Sequence, residues 1–237
     1  MEVGQVINVL NTLHVQLLTK DTLHILNGQQ LAETFQHAVP NDEIIYIPFN
    51  EAMCVHPTTI DIFSEHFCEV RAKGHDTSIE AYQHIVVKPL QRFFQTSYKT
   101  IVLWFGQDVF CQMNVLTVLA YLEQIQYKGT VYVNAFVHGE GKVEQIKIRL
   151  GTYMQVYTKV LVNGQLAEQS TFPMMQKAIH LYLELLQEEN DVANYVKKYP
   201  LLAEEELTKQ LLLNFKEYGY GDTQYKELIQ AIRNKVV

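Results

Sequence analysis

Residues 100–127 read TIVLWFGQDVFCQMNVLTVLAYLEQIQY and carry the clearest structural signal in the chain. The opening run, Thr100 to Phe105, is rich in β-branched and aromatic residues, which favours a buried strand. Gly106-Gln107-Asp108 supplies a turn, and the apolar residues after it recur at helical spacing. The stretch therefore predicts a strand, a tight turn and a helix over 108–127.

Three further runs of the same kind lie along the chain. They are Thr22 to Leu26, Ile44 to Ile47 and Thr130 to Val137, each followed by polar or glycine-containing turn residues. Segments long enough for crossover helices lie between the runs, over 29–39, 57–73 and 76–96, and the second of these opens at Pro57. Strands that alternate with helices form parallel sheets covered by helices. We predict an α/β fold with a mainly parallel open sheet flanked by helices, three-layered and Rossmann-like, followed by an all-helical C-terminal region.

The C-terminal part of the chain has a different texture. No glycine occurs between Gly164 and Gly219, apolar residues recur at helical spacing, and Pro173 and Pro200 stand where helices would begin. We divide the chain into a helical N-terminal extension (1–20), an α/β domain (21–149) and a helical C-terminal region (150–237). No linker separates the last two, so the helices could equally pack with the sheet as one domain. An exposed face of these helices could form a homodimer, although core packing explains their apolar stripes equally well.

Composition narrows the class of protein. Of the 237 residues, 48% are hydrophobic, which is typical of a globular chain. The net charge is −7, which opposes nucleic-acid binding, because phosphates are held by lysine and arginine. The three cysteines have neither a metal-binding spacing nor an even disulfide count, which favours a cytoplasmic location. No apolar run approaches the length of a membrane span, so we expect no membrane partner.

Polar residues follow each predicted strand. The four strand ends carry Asn27-Gly28-Gln29, Asn50-Glu51, Gln107-Asp108 and His138-Gly139-Glu140. The carboxyl ends of parallel strands meet at one edge of a sheet, where open α/β proteins bind their ligands. Such residues also make turns and helix caps without any further role. Their occurrence at all four ends favours a small-molecule site at this edge.

Two strand ends suggest specific chemistry. Asn27 and Gly28 precede a helix whose N-terminus suits a phosphate, although the chain has neither a dinucleotide fingerprint nor a P-loop. Glu51 and Asp108 are the candidate catalytic pair, as acid and base or as cation ligands. A helix cap is an equally good interpretation of Asp108.

Arg71, Gln112 and Asn114 are further candidate ligand-binding residues. Arg71 could clamp a phosphate or carboxylate, or could simply interact with the dipole at the end of its helix. Gln112 shares a helix face with Asp108 at a spacing of four. No spacing of histidine, cysteine and acidic residues matches a metal site, and the sequence names no cofactor.

Three stretches resemble a bacterial family catalogued as domain of unknown function 1835. They are Leu23 to Gly28, Glu51 to Pro57 and Leu103 to Asn114, of which the last is the most specific. The resemblance covers residues 22–137, and the C-terminal helical region looks like the one that accompanies this domain. It implies that the residues at the strand ends are the family's signature, and it implies no activity.

Two functions remain open from the sequence. The first is the binding of a phosphorylated or nucleotide-like small molecule at the C-terminal edge of the sheet. The alternative is a non-enzymatic regulatory or protein-interaction module, in which the helical tail presents the partner surface and the polar motifs only brace the fold. Whether the protein is an enzyme stays undecided at this stage.

Overall fold

A computed structural model of the protein describes residues 3–12, 17–95, 98–136 and 143–236. The strand end at His138-Gly139-Glu140 lies outside these residues. Within the described ranges, no helix combines the length and the apolar character needed to cross a bilayer.

A five-stranded mixed sheet forms the centre of the fold, in the order β2-β1-β3-β4-β5. Its strands are β1 (Thr22–Asn27), β2 (Ile45–Phe49), β3 (Thr100–Gly106), β4 (Thr130–Phe136) and β5 (Val143–Ile148). The first four pair in parallel, which confirms the prediction from the alternating strand and helix patterns. Asn27, at the end of β1, aligns with Phe49 at the end of β2. The carboxyl ends of these strands therefore share one edge.

The fifth strand has no counterpart among the predicted strands. β5 pairs antiparallel with β4 at the border of the sheet. Its sequence VEQIKI alternates apolar and polar residues, and only Ile148 is buried. A short edge strand with one solvent-exposed face gives a much weaker sequence signal than the apolar runs of the central strands.

Helices surround the sheet. They are α1 (Val3–Thr12), α2 (Gln29–Ala38), α3 (Glu65–Gly74), α4 (Ile79–Tyr82), α5 (Gln91–Phe94), α6 (Val109–Gln124), α7 (Tyr153–Tyr157), α8 (Pro173–Leu185), α9 (Asp191–Lys198), α10 (Glu204–Asn214) and α11 (Asp222–Val236). A π-helical turn over Gln83–Val87 and a 3₁₀ turn over Lys88–Leu90 join α4 to α5, a π-helical turn over Thr158–Val162 extends α7, and a 3₁₀ turn covers Lys216–Tyr218.

Two predicted helix starts are wrong. The helix expected from Pro57 begins at Glu65, where the Ser64 hydroxyl caps the amide of Phe67. The intervening segment is a loop held by side chains from other elements: Arg71 donates to Pro57 O, and Gln124 bonds both backbone groups of Ile62. The helix expected at Pro200 begins instead at Glu204, where three successive glutamates favour a helix N-terminus. Pro173 does begin α8, as predicted.

Hydrophobic clusters cover both faces of the sheet, which makes the fold three-layered. On one face Trp104 and Val102 pack against Phe35 of α2 and Val9 of α1. The larger cluster on the other face contains α6 and runs without interruption into the C-terminal helices. The fold is thus Rossmann-like α/β with a helical C-terminal region that lies against α6.

Candidate functional site

A cleft of about 710 Å³ opens between the carboxyl edge of the sheet and the C-terminal helices. One wall consists of strand-end and α6 residues, namely Asn27, Gln107, Asp108, Phe110, Cys111 and Phe136. The opposite wall consists of Met174, Lys177, Ala178, Leu181, Leu212, Phe215, Lys216, Glu217, Gly219 and Tyr220. Two of the predicted strand-end sites, at Asn27 and at Gln107-Asp108, therefore do contribute to one concave surface.

A smaller cavity of about 210 Å³ lies at the ends of β1 and β2. Its lining comprises Asn27, Gly28, Phe49, Asn50, Glu51, Ala52, His75 and Phe110. Asn27 and Phe110 line both spaces, so the cavity and the cleft are neighbours. Gly28 precedes α2 with φ +89, a dihedral angle that favours glycine, and α2 has no side-chain cap because glycine has no side chain.

Asp108 caps α6 and also supports the opposite wall of the cleft. Its Oδ1 accepts a hydrogen bond from the backbone amide of Cys111 at 2.8 Å. Gly219 lies against this carboxylate with φ +65, and a Cβ at Gly219 would overlap it. Asp108 thus joins the sheet edge to the segment between the 3₁₀ turn and α11.

Asn114 and Gln112 lie beneath the site, with no exposed surface. The Asn114 amide donates to Glu51 O at 2.7 Å and to Asn27 Oδ1 at 3.2 Å, while its oxygen accepts from the Met53 amide at 2.9 Å. Gln112 donates to Gly106 O at 2.6 Å, and its Oε1 is buried without a partner. These side chains position the strand ends; neither lines the cleft or the cavity.

Glu51 and Arg71 form a buried ion pair. Arg71 Nη2 lies 2.6 Å from Glu51 Oε1 and Nε lies 3.3 Å from Oε2, and both side chains are fully buried. Burial alone would raise the pKa of Glu51, but the hydrogen bond from His75 and the charge and hydrogen bonds of Arg71 outweigh it and hold the pKa well below its usual range. Glu51 is therefore a carboxylate at any physiological pH.

The remaining donors of Arg71 hold the loop after β2. Nη1 lies 2.7, 3.0 and 3.2 Å from the carbonyl oxygens of Val55, His56 and Pro57. Nη2 donates its second hydrogen to Ala52 O at 3.0 Å. All five N–H groups of the guanidinium are thus directed at protein oxygens, which leaves none to clamp a ligand.

His75 and Tyr82 complete this network and were not anticipated from the sequence. His75 Nε2 lies 2.8 Å from Glu51 Oε1, and the Tyr82 hydroxyl donates to Glu51 Oε2. His75 follows Arg71 by four residues, a spacing that brings side chains together on a helix and could have signalled the pair. No comparable signal exists for Tyr82, which belongs to a separate helix.

Glu51 and Asp108 therefore do not stand as a bare carboxylate pair. Each carboxylate already accepts hydrogen bonds from the protein, Asp108 as a cap and Glu51 within its ion pair. The cysteines nearby offer no nucleophile, because burial raises the pKa of Cys54 to about 12 and that of Cys111 well above its usual value. Among the residues described, no group of histidine, cysteine and acidic side chains is arranged to hold a metal ion.

Comparison of the chain with protein families, with curated proteins and with solved structures finds no match. The resemblance to the family catalogued as domain of unknown function 1835 stays a prediction. The geometry of the cleft and of the cavity is therefore the guide to function.

Proposed function

We propose that the protein binds a phosphorylated or nucleotide-like small molecule in the cleft between the sheet edge and the C-terminal helices. The observation that carries this proposal is a space of about 710 Å³ at the carboxyl ends of β1 and β3. Small-molecule sites have volumes of about 300–1,000 Å³, and in open α/β sheets they lie at this edge. A ligand here would contact both the α/β part and the helical part of the chain.

The apolar part of the lining supports a ligand with a flat ring. Phe110, Phe136, Phe215 and Tyr220 contribute aromatic surface, and the aliphatic side chains of α8 and α10 add to it. Aromatic rings give large contact areas to planar ligands through stacking or edge-to-face packing. A nucleobase has the shape and the polarity that such a lining accommodates.

The charged part of the lining supports a phosphate. Lys177 on α8 and Lys216 on the 3₁₀ turn contribute two cations to the cleft wall. Asp108 and Glu217 contribute carboxylates, which accept hydrogen bonds from ribose hydroxyls or ring amines. In the neighbouring cavity, the N-terminus of α2 after Gly28 has no side-chain cap and suits a second anionic group.

Thermal unfolding with adenosine monophosphate, uridine monophosphate and ribose 5-phosphate tests this proposal. A ligand present at 100 times its Kd stabilises the fold by about 2.7 kcal/mol, which raises the Tm of a chain of this size by about 5–10 °C. The variant Lys177→Glu should bind about 10- to 150-fold more weakly, because it loses a charge-assisted hydrogen bond of about 1.5–3 kcal/mol. Lys209→Glu is the matched control, since Lys209 is an exposed lysine on α10 outside the cleft.

A flat response to all three ligands would contradict the proposal. That outcome, together with a concentration-dependent dimer in light scattering, would favour the interaction module with its helical tail as the partner surface. Kinship with the family catalogued as domain of unknown function 1835 and a cytoplasmic location are compatible with a small-molecule role and remain proposals.

A further inference from the structure

The imidazole of His75 stands between the buried Glu51–Arg71 pair and the smaller cavity. His75 is the C-cap of α3, and its backbone amide donates to Arg71 O at 3.0 Å, which fixes the position of its Cα. The side chain is 27% exposed, whereas those of Glu51 and Arg71 are fully buried. His75 also lines the cavity, so of these three side chains it is the one that a molecule there can contact.

The contacts of Nε2 determine which tautomer His75 adopts. Nε2 lies 2.8 Å from Glu51 Oε1 and 3.1 Å from Arg71 Nη2. Both hydrogens of Nη2 are already used, at 2.6 Å by Glu51 Oε1 and at 3.0 Å by Ala52 O. A carboxylate oxygen at 2.8 Å requires a donor, so Nε2 carries a proton, and in the neutral ring Nδ1 then carries the lone pair.

The Nδ1 atom of His75 is available to a ligand. Within the described part of the chain, Nδ1 has no hydrogen-bond partner, and it is not among the buried polar atoms that lack one. It therefore contacts solvent on the side of the ring away from Glu51. The groups that face the ring are Glu51, Arg71, His56 at 4.7 Å between ring centroids and Tyr82 at 6.2 Å.

We propose that His75 is a general base of this site and that Glu51 is the residue that positions it. This inference rests on the proposed function, and it narrows the ligand to a phosphate ester that extends from the cleft into the smaller cavity, which His75 lines, and that the protein hydrolyses there. A carboxylate that fixes one imidazole nitrogen, while the other faces the reactant, is the arrangement by which enzymes activate hydroxyl groups and water. Glu51 also stabilises the imidazolium that forms when the proton is transferred.

The step is a hydrolysis, in which water displaces the leaving group at phosphorus. A water molecule in the cavity gives a proton to Nδ1 while its oxygen forms a bond to phosphorus. The P–O bond to the leaving group breaks, and the leaving oxygen departs with the bonding electron pair. The leaving oxygen lies in line on the opposite side of phosphorus and takes a proton from solvent, while Nδ1 gives its proton to solvent, so the imidazole returns to its starting state and the net change is one water consumed.

Hydrolysis of bis(4-nitrophenyl) phosphate tests the assignment. We expect the wild-type chain to release 4-nitrophenol and His75→Gln to lower kcat by about 100- to 10,000-fold, the usual contribution of a general base. KM and the stabilisation by adenosine monophosphate should be unchanged in this variant. His66→Gln, which replaces an exposed histidine on the same helix, should retain the wild-type rate.

The role of Glu51 is tested by the kinetics of Glu51→Gln. This variant should lower kcat for the ester with KM unchanged, because the imidazole loses the carboxylate that orients it. Since this variant disturbs a buried ion pair, ¹⁵N spectra of the wild-type chain give a second readout. They should show His75 protonated at Nε2 with a lone pair on Nδ1, and the opposite tautomer would overturn the assignment.

The inference and the proposed function fail in different ways. If adenosine monophosphate stabilises the protein but the ester is not hydrolysed above the buffer rate, or if His75→Gln is as active as wild type, His75 is not a general base. If no nucleotide or sugar phosphate stabilises the protein, the proposed binding function itself is wrong.

Discussion

The buried histidine of β1 should make the stability of the protein pH-dependent between neutrality and pH 4.5. His24 has no exposed surface, its Nε2 lies 3.0 Å from Leu17 O, and its Nδ1 accepts a hydrogen bond from Trp104 Nε1 at 3.0 Å. The ring is therefore neutral with its proton on Nε2. A second proton would have to sit on Nδ1, directly opposite the indole N–H.

The pKa of His24 gives the magnitude of this effect. Burial lowers the pKa from 6.5 to about 4, although the hydrogen bond to Leu17 O opposes the shift. Between these values the unfolded chain binds a proton that the folded chain does not, so acidification favours unfolding. The contribution is complete above pH 6.5, declines as the pH falls, and amounts to a loss of about 2.5 kcal/mol by pH 4.5.

Urea unfolding of the wild type and of His24→Gln at pH 7.0, 6.0, 5.0 and 4.5 measures this contribution. Glutamine can accept from Trp104 and donate to Leu17 O but does not titrate, so the variant should lose about 2.5 kcal/mol less than wild type over this range. His66→Gln, at an exposed position, should retain the wild-type slope. The lowered pKa of His56 acts in the same direction and is common to all three chains. Identical slopes for wild type and His24→Gln would refute the argument.

Two substitutions test the architecture of the site. Arg71→Met should lower the free energy of unfolding by about 3–5 kcal/mol, because it leaves Glu51 as a buried, unpaired charge. Adding Glu51→Leu should restore part of this loss. If the double variant shows no recovery, the unpaired charge is not the cause of the loss. Gly219→Ala should destabilise the fold more than Gly164→Ala. The two glycines have similar backbone angles, with φ of +65 and +63, but of the two only Gly219 lies against the Asp108 carboxylate. Denaturant unfolding at pH 7 measures both, and equal losses in the two alanine variants would contradict the contact with Asp108.

The fold was predictable where one physical signal dominated. Both faces of the central strands are covered, so β3 is a continuous apolar run from Ile101 to Phe105 and β1 is mostly apolar, and such runs are visible in the sequence. The true start of α3 was not predictable, because Pro57 offers a good local helix start. The segment after Pro57 is instead held as a loop by side chains far along the chain, because Arg71 donates to Pro57 O and Gln124 bonds the backbone of Ile62.

The candidate site was predictable only as a location. The rule that ligands bind at the carboxyl edge of parallel strands selected Asn27 and Asp108, and both line the cleft. The opposite wall comes from α8, α10 and the segment around Gly219, whose positions depend on how the helical region packs against α6. The partners of Glu51 likewise come from two other helices, and a single sequence contains no direct record of such pairings.

Chemical-shift mapping of the ¹⁵N-labelled protein during titration with adenosine monophosphate tests the central claim most directly. The proposed function predicts saturable shifts of amide signals on both walls of the cleft, at Asn27 and Asp108 on the sheet edge and at Lys177 and Gly219 on the helical side. Saturable shifts confined to a surface remote from these residues, or no shifts at millimolar ligand, would contradict it.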